Sequence, residues 1–537
     1  MASSGTTSNT MRFTGAQLVV HLLERQGITM VSGIPGGSIL PIYDALSQST
    51  QIRHILARHE QGAGFIAQGM ARTEGKPAVC MACSGPGATN LVTAIADARL
   101  DSIPLVCITG QVPASMIGTD AFQEVDTYGI SIPITKHNYL VRDIAELPQV
   151  ISDAFRIAQS GRPGPVWIDI PKDVQSATIE LEALPEPGER APAPAFAPES
   201  VREAAAMINA AKRPVLYLGG GVINAPQAIR ELAEKANLPT TMTLMALGML
   251  PKAHPLSLGM LGMHGARSTN YILQEADLLI VMGARFDDRA IGKTEEFCPN
   301  AKIIHVDIDR AELGKIKQPH VAIQGDVAEV LAQLIPQTDA TDRADWRQLV
   351  ADLQREFPCT IPQEQDPLTH YGLINAVAAC VDDEAIVTTD VGQHQIPHAL
   401  GISGGESGGD QRAQRMAEQN GFLHPGAVKH PRQCIGVGAG IRPRRRKHRA
   451  FAITGHIPGQ HAVAGKRHLF MPGGRAGTDA VQQRQRRTAS LFTKTRHHPP
   501  LATLHFRQRM IFRVGRNMRL WRTEHHAHQR FFLAVVE

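Results

Sequence analysis

One short stretch combines an acidic side chain with the pattern of a buried helix. It reads Arg58-His59-Glu60-Gln61-Gly62-Ala63 and continues into small residues interrupted by Phe65, Ile66 and Met70. The spacing predicts a helix whose larger apolar residues face a core. A carboxylate at the entrance to such a helix, beside apolar surface, is able to share a proton with a bound partner. The alternative role for Glu60 is a helix cap or an ion pair with Arg58 or His59, the usual roles of an isolated glutamate.

Four apolar segments predict the elements that position this carboxylate. They cover residues 28–33, 77–82, 103–110 and 166–171, and helical patterns separate them. Buried strands in this alternation indicate a parallel sheet covered by helices on both faces. Ligands of such sheets bind at the carboxyl ends of the strands. Those ends hold Gly36, Glu60, the run from Ser84 to Asn90, and Gln111, so we expect these residues to lie close together.

A second α/β unit follows a linker rich in proline and alanine at residues 184–200. Its predicted strands, at residues 213–218, 276–283 and 303–309, end in glycine or aspartate. Backbone N–H groups at such ends can bind a pyrophosphate, and a carboxylate can accept from ribose hydroxyls. The strict Gly-x-Gly-x-x-Gly pattern does not occur, so spacing alone indicates a generic Rossmann-like domain.

The last quarter of the chain has a different composition. Residues 396–537 contain 25 Lys and Arg but only 6 Asp and Glu, a net charge of +19, whereas the residues before them sum to −14. Such a segment is either a nucleic-acid-binding arm or non-native sequence produced by a frameshift, an inversion or an opposite-strand reading. We favour non-native sequence because the change falls inside a motif, directly after Gln395, whereas a grafted domain would join at a linker.

Length and composition exclude several classes of protein. A chain of 537 residues with 43% hydrophobic residues suits a soluble globular protein of about three domains. No apolar run is long enough to span a bilayer, and the polar start lacks the apolar core of a secretory signal. Cys80 and Cys83 have metal-ligand spacing but no second pair nearby. They are therefore predicted to be buried strand thiols of a cytoplasmic protein.

Five motifs occur in the order found in one enzyme family. They are Gly33-Ile34-Pro35-Gly36-Gly37, the Glu60 stretch, Ser84-Gly85-Pro86-Gly87-Ala88-Thr89-Asn90, Thr119-Asp120-Ala121-Phe122-Gln123-Glu124 and Ser160-Gly161-Arg162-Pro163-Gly164-Pro165-Val166. On these motifs the chain resembles the thiamine-diphosphate enzymes. Among them it is most similar to the large catalytic subunits of acetolactate synthases (acetohydroxyacid synthases) of bacterial branched-chain amino-acid biosynthesis. The resemblance covers about residues 13–395.

The resemblance implies an α/β fold of thiamine-diphosphate-enzyme type, built from doubly wound parallel-sheet domains. It places a pyrimidine-binding domain at residues 12–183, the linker at 184–200 and a central FAD-binding Rossmann-like domain at 201–340. A diphosphate-binding domain would begin within residues 365–395. Residues 396–537 do not match the family and are expected to be poorly ordered.

The resemblance also assigns residues to thiamine diphosphate and to the substrates. Glu60 would be catalytic by hydrogen-bonding the cofactor's aminopyrimidine ring. The other neighbours of the cofactor would be Pro35, Gly36, Pro86, Asn90, Gln123, Gln393 and His394. The substrate would contact Gly36, Phe122, Gln123, Lys172 and Arg289, with Lys172 or Arg289 balancing its carboxylate. The implied reaction condenses two pyruvates to 2-acetolactate and CO₂, or pyruvate with 2-ketobutyrate.

FAD is the second cofactor that the resemblance implies, and it performs no net redox step in this family. Arg162 of the first domain is expected to reach it. The expected contacts in the central domain are Gly219, Gly220, Gly221, Leu261, Gly262, Met263, His264, Gly265, Gly283, Ala284, Arg285, Asp287, Arg289, Asp307, Ile308, Gly325 and Asp326.

One element that the family requires is missing from the sequence. The family holds Mg²⁺ on the diphosphate with a Gly-Asp-Gly segment and a later asparagine, and no Gly-Asp-Gly occurs in this chain. No metal ligands are therefore assigned, and we predict that turnover is severely reduced. The alternatives are an inactive remnant that binds only FAD, or a nucleic-acid binder through the basic tail. The family further implies a homodimer and a small regulatory subunit, with neither a membrane nor a nucleic acid as partner.

Overall fold

Two six-stranded parallel sheets, each covered by helices, dominate the computed structural model, which describes residues 10–359 and 365–380. Both sheets have the alternation of strands and helices that the sequence predicts, and the doubly wound α/β fold is confirmed. The expected cofactor contacts Gln393 and His394 lie outside the described residues, as does the basic tail.

The first sheet has the strand order β3-β2-β4-β5-β7-β6, and β1 and β8 form a separate antiparallel pair. The elements, in chain order, are β1 (Met11–Thr14), α1 (Gly15–Arg25), β2 (Met30–Gly33), α2 (Leu40–Ser47), β3 (Arg53–Leu56), α3 (Glu60–Glu74), β4 (Ala78–Ala82), α4 (Pro86–Asp101), β5 (Leu105–Gln111), α5 (Thr127–Ser131), β6 (His137–Leu140), α6 (Leu147–Gln159), β7 (Pro165–Pro171), α7 (Lys172–Ser176) and β8 (Thr178–Leu181). The four predicted strands are β2, β4, β5 and β7. Every residue of β4, β5 and β7 is buried because helices cover both faces of the sheet.

The prediction that the large apolar residues of α3 face a core holds for Met70, which packs partly buried against one, but is wrong for Phe65 and Ile66. Phe65 and Ile66 are 41% and 37% exposed, and the buried side of the helix is made of small residues and Gln68. The helix lies so close to α4 that a Cβ built on Gly64 would be 2.5 Å from the Cβ of Ala94. Only small residues fit this contact, so Phe65 and Ile66 face outward.

The central sheet has the strand order β11-β10-β9-β12-β13-β14. Its elements are α8 (Pro198–Ala210), β9 (Pro214–Leu218), α9 (Pro226–Lys235), β10 (Thr240–Met242), β11 (Ser257–Met260), α10 (Arg267–Glu275), β12 (Leu278–Met282), α11 (Asp288–Ile291), β13 (Lys302–Asp307), β14 (Val321–Gln324) and α12 (Val327–Leu334), followed by α13 (Ala344–Glu356) and α14 (His370–Cys380). Helix α13, beyond the expected domain end at residue 340, packs on this unit, where Trp346 Nε1 donates to the carbonyl of Pro214 at 3.0 Å.

The order of strands reverses once in each sheet, and these points position the candidate sites. In the first sheet the chain runs from β2 outward to β3 and then returns to β4 on the other side of β2. In the second sheet it runs outward from β9 to β11 and returns to β12 beside β9. Loops leave the carboxyl ends of the two adjacent strands in opposite directions at such a point, which opens a crevice for a ligand.

The described residues include neither a membrane-spanning helix nor a candidate metal site, and their cysteines are free thiols. None of their helices is long and apolar enough to cross a membrane, and none of their His, Cys, Asp and Glu side chains cluster in a group of three or more that could hold a metal ion. The six described cysteines are all free. Cys80 lies within β4 and Cys83 just after it, both buried, as predicted.

Candidate functional site

Glu60 is the first residue of α3, and its carboxylate faces α4. The side-chain amide of Asn90 donates to Glu60 Oε2 at 2.9 Å. Ser32 of β2 anchors the first turn of α3, because its hydroxyl donates to the carbonyl of Ala63 at 2.7 Å. The helix cap is His59, whose ring Nδ1 accepts from the backbone N–H of Gln61. The cap alternative for Glu60 is therefore wrong, and Glu60 forms no ion pair within the described residues.

The turn after β2 meets the turn after β4 at the switch point of the first sheet. A Cβ on Gly36 would lie 2.5 Å from the Cβ of Cys83, so this close approach requires glycine. The Ser38 hydroxyl lies 3.1 Å from Cys83 Sγ and accepts from the backbone N–H of Ser84 at 2.9 Å. Pro35 and Pro86 are exposed beside these contacts.

A third loop, residues 118–125, closes the same crevice. Gly85 has a φ of +56°, and a Cβ on it would lie 2.6 Å from the carbonyl oxygen of Gln123. Gln123 itself has a φ of +60°, and the neighbouring Phe122 is 88% exposed. A Cβ on Gly87, in the turn that packs on this loop, would be 3.6 Å from Glu60 Oε1. The structure thus brings the turns of Gly36 and Gly85, the Glu60–Asn90 pair and the Gln123 loop together.

Two of the expected substrate contacts lie apart from this cluster. Lys172 begins α7 after β7 and is exposed. Arg289 belongs to the central unit, with its side chain 70% exposed and its Nε 3.8 Å from Asp288 Oδ2. Within the described residues, neither side chain forms a hydrogen bond or an ion pair with the Glu60 cluster.

The switch point of the central sheet is built from glycines. A Cβ on Gly219 would lie 2.3 Å from the carbonyl oxygen of Gly283, and one on Gly221 would lie 2.7 Å from the Gly283 Cα. The loops after β9 and β12 therefore touch backbone to backbone. Ala284 and Arg285 follow directly, and the Arg285 carbonyl accepts from the buried Tyr217 hydroxyl at 2.9 Å.

Two further segments that contain expected FAD contacts, residues 261–265 and 287–289, touch each other. The segment 261–265 contains Gly262 at a φ of +82°, where a Cβ would lie 2.3 Å from the Arg289 carbonyl oxygen. The Asn270 side chain bonds both the N–H and the carbonyl of Gly262 at 2.9 Å. Met263 and His264 are exposed on this turn. The Asp287 carboxylate caps α11 by accepting from the N–H groups of Arg289 and Ala290.

Asp307 and Asp326, the last two acidic residues among the expected FAD contacts, form hydrogen bonds and an ion pair within the protein. Asp307, at the end of β13, accepts from the Asp309 N–H across Ile308, and burial raises the pKa of the Asp307 carboxyl to about 6. The Gly325 N–H donates to the Asp307 carbonyl at 3.1 Å. Asp326 caps α12 and pairs with Arg190 at 3.2 Å.

Arg162 joins the first unit to the central one. Its guanidinium lies 2.9 Å from Glu312 Oε1 and 3.3 Å from Asp309 Oδ2, and its Nε donates to the Ser102 hydroxyl at 2.8 Å. In this structure the side chain expected to reach FAD is therefore engaged in an ion pair between domains.

Sequence reasoning missed several polar residues at these two sites. The Thr243 hydroxyl after β10 is buried with no hydrogen-bond partner among residues 10–359 and 365–380, and nearby the Cβ of Met245 would be 3.3 Å from a Cβ on Gly220. Gln175 donates to the carbonyls of Ser38 and Ile170 at 2.8 Å. No motif marks these residues, since each is a single polar residue in an otherwise ordinary segment.

Comparisons with known proteins agree with this geometry. Residues 13–130 match the thiamine pyrophosphate enzyme N-terminal TPP binding domain, and residues 201–334 match the thiamine pyrophosphate enzyme central domain. The chain is 86% identical over 396 residues to the acetolactate synthase isozyme 1 large subunit of Escherichia coli (strain K12), covering 74% of this chain and 70% of that protein. It is 48% identical over 409 residues to the acetolactate synthase large subunit of Corynebacterium glutamicum, covering 74% of this chain and 65% of that protein.

A third relative, the Escherichia coli isozyme 2 large subunit, is 48% identical over 384 residues, which is 69% of its length. The chain thus spans about two thirds of the length of these relatives. Two matched domains, the order of their motifs and the identity to relatives of one kind all lead to the same assignment. The chain belongs to the acetolactate synthase large-subunit family of thiamine pyrophosphate enzymes.

Proposed function

We propose that this chain takes part in the condensation of pyruvate with a second 2-keto acid, with thiamine diphosphate bound in the crevice at Glu60. When bound, that cofactor supplies the electron sink that lets a 2-keto acid lose CO₂. The residues of the chain bind and orient it. The products are 2-acetolactate, or 2-aceto-2-hydroxybutyrate from 2-ketobutyrate, on the route to valine, leucine and isoleucine.

The observation that supports this proposal most directly is the hydrogen bond from Asn90 to Glu60. It leaves Oε1 of Glu60 directed toward the glycine-lined turn at Gly87. A carboxyl oriented in this way can exchange a hydrogen bond and a proton with a ring nitrogen in the crevice. The glycines let the turns of Gly36 and Gly85 pack directly against Cys83 and Gln123, so these turns and the Gln123 loop lie together beside the Glu60–Asn90 pair. We assign the thiamine contacts Pro35, Gly36, Glu60, Pro86, Asn90 and Gln123 on this basis.

We also propose that the glycine switch point of the central sheet binds FAD. Its backbone groups leave no room for side chains, and the buried Thr243 hydroxyl has no hydrogen-bond partner within the part of the chain that the structure describes. Both features suit a polar ligand that lies against backbone. Binding of FAD by Arg162 would require that side chain to leave or share its pairing with Glu312.

The outward face of α3 supports a homodimer. Phe65, Ile66 and the nearby Leu56 are 41%, 37% and 65% exposed. Gly62 and Gly69 belong to the same helix, and a Cβ added to either glycine would meet no atom within 4 Å. Large apolar residues beside open glycines suit a closely packed helix from a second copy. A small regulatory subunit is a further proposed partner, since relatives bear the name of large subunits.

Mg²⁺ is proposed as the ion of the cofactor diphosphate, although the chain lacks a Gly-Asp-Gly segment for it. We therefore propose severely reduced turnover, with an inactive FAD-binding remnant as the alternative. Free thiols at all six described cysteines suit a reducing compartment such as the cytoplasm.

The test uses the purified full chain with thiamine diphosphate, Mg²⁺, FAD and pyruvate. We expect a flavin spectrum that survives gel filtration, and acetolactate formation far below that of the Escherichia coli isozyme 1 subunit assayed alongside. Glu60→Gln should abolish the remaining formation but keep the flavin. Gly221→Val should lose the flavin. Acetolactate formation equal to that of the relative would contradict the reduced turnover, and binding of neither cofactor would contradict the proposed function.

A further inference from the structure

The loop of residues 118–125 adopts a conformation that its own sequence does not favour. Asp120 and Gln123, which both carry side chains, have φ values of +56° and +60°. Left-handed backbone is unfavourable for residues with a side chain, so it persists only where the surroundings hold it. Contacts from outside or within the loop must therefore fix Phe122 and Gln123.

Some of the restraint lies inside the loop. The Glu124 carboxylate accepts from the N–H groups of Gly118 and Ala121. These bonds shape the loop but do not attach it to the sheet. The attachment to the sheet comes at Val125, whose carbonyl accepts from Gln111 Nε2 at 3.1 Å in addition to the Thr127 N–H at 2.8 Å.

Gln111, the last residue of β5, is oriented by three hydrogen bonds. Its Nε2 donates to Val125 and also to Asp169 Oδ2 at 2.9 Å, and its Oε1 accepts from the N–H of Val112 at 2.9 Å. Asp169 Oδ1 in turn accepts from the Thr109 hydroxyl at 2.7 Å, and that oxygen accepts from Trp167 Nε1 at 2.8 Å. Each of these four side chains is at most 3% exposed.

The acidic member of this network determines which way the Gln111 amide points. Asp169 has no cation paired with it among the described residues, and its two oxygens receive donors from Thr109 and Gln111, with the Thr127 side chain as a further hydrogen-bonding neighbour. A group at position 169 that offers an N–H toward Gln111 would force the amide to turn over. The oxygen of Gln111 would then face the Val125 carbonyl, and the bond to the loop would be lost.

We propose that Gln111 and Asp169 are positioning residues, which tether the loop of residues 118–125 to the sheet and so place Phe122 and Gln123 at the crevice. Neither side chain touches the crevice itself, and both act through the Val125 carbonyl. The importance of the tether for catalysis rests on the proposed function, whereas the tether can be tested without it.

The test is hydrogen exchange of the full chain without cofactors, followed by mass spectrometry of peptides that cover residues 112–125. Gln111→Met and Asp169→Asn should each speed exchange in residues 118–125 by about tenfold, the effect of one lost buried hydrogen bond. Because Asp169 acts through Gln111, the double variant should exchange no faster than Gln111→Met. Peptides from β2 and β4, which lie in the same sheet but outside the loop, report that each variant is folded.

Gln175→Met is the matched control. Gln175 is equally buried at the same edge of the sheet and loses two amide hydrogen bonds, but it does not contact the loop. Its loop exchange should stay at the wild-type rate. The proposal is overturned if Gln111→Met leaves loop exchange unchanged, if Gln175→Met speeds it equally, or if the double variant shows the product of the two single effects. If Gln111→Met loosens the loop but the wild-type chain fails to bind thiamine diphosphate with Mg²⁺, the tether stands and the proposed function is contradicted.

Discussion

At the scale of single residues, Glu60 shows what a sequence can and cannot give. Its place at the entrance to a helix follows from the small-residue pattern after it, and the structure confirms that α3 begins there. Its partner could not be derived in this way. Asn90 lies 30 residues further along the chain, on a different helix, and only the folded sheet brings its amide within 2.9 Å of the carboxylate.

The Asn90 hydrogen bond gives the first prediction. Asn90→Ala removes the donor that orients Glu60, so we expect the affinity for thiamine diphosphate with Mg²⁺ to fall about tenfold, as for one lost hydrogen bond to a charged group. Thr89→Ala is the control, since the exposed Thr89 hydroxyl donates to the Pro86 carbonyl of its own turn and not to Glu60. Calorimetric titration measures both. Equal affinities of Asn90→Ala and wild type would show that the amide has no part in binding.

Asp169 gives a prediction for the dependence of stability on pH. Burial raises the pKa of its carboxyl from 3.8 to about 7 in the folded state. Because the folded pKa lies above the unfolded one, the folded state holds the proton more tightly. The stability that this tightly held proton contributes is full below about pH 4 and is lost as the pH rises through 7.

Each pH unit in that window removes up to about 1.4 kcal/mol from the free energy of unfolding. Asp169→Asn lacks this contribution, so its free energy of unfolding should rise relative to wild type between pH 5 and pH 8. Urea unfolding of both proteins at the two pH values measures the gap. A gap that stays constant would mean that Asp169 does not titrate in this range.

At the scale of elements, the sequence predicts strands better than the faces of helices. The all-apolar strands β4, β5 and β7 are recognisable because both of their faces are buried. The short polar strand β10 (Thr240–Met242) and the edge strand β3 offer no such signal. Periodicity predicts that Phe65 and Ile66 of α3 are buried, but both are exposed. The close contact of α3 with α4 excludes large side chains, and this contact cannot be predicted from periodicity.

The close contact of α3 with α4 predicts that alanine substitutions at two glycines of α3 affect stability differently. Gly64→Ala places a methyl 2.5 Å from the Cβ of Ala94, and we expect it to lower the free energy of unfolding by about 1–3 kcal/mol. Gly69→Ala, in the same helix, meets no atom of its own chain within 4 Å, so on the monomer it should leave the free energy of unfolding unchanged or raise it by up to about 1 kcal/mol. Urea denaturation distinguishes them, and equal effects would contradict the close packing of these helices.

At the scale of the whole molecule, Arg162 forms a charged contact between the two α/β units. Arg162 lies between Asp309 and Glu312, and the side chain of Glu312 is only 8% exposed. The sequence marks Arg162 by its motif but does not reveal this pairing, because the partners are about 150 residues away. The resemblance likewise implies roles for Gln393 and His394, which lie outside the described residues.

Arg162→Met should weaken the joint between the units. It leaves the nearly buried Glu312 with only Lys315, at 3.2 Å, as its cationic partner among the residues that the structure describes, and we expect a loss of about 1–3 kcal/mol in the free energy of unfolding. Arg190→Met is the control, because that exposed pair with Asp326 should contribute less than about 1 kcal/mol. Thermal and urea unfolding measure both, and a larger loss in Arg190→Met would contradict the assignment.

The central claim is that the crevice at Glu60 receives the aminopyrimidine ring of thiamine. Saturation-transfer NMR of the full chain with thiamine diphosphate and Mg²⁺ tests it most directly, because the method detects weak binding and identifies the protons in contact. We predict strong transfer to the pyrimidine methyl and ring protons with wild type and Thr89→Ala, and its loss in Glu60→Ala. Transfer of the same strength with Glu60→Ala, or none with the wild-type chain, would contradict the claim.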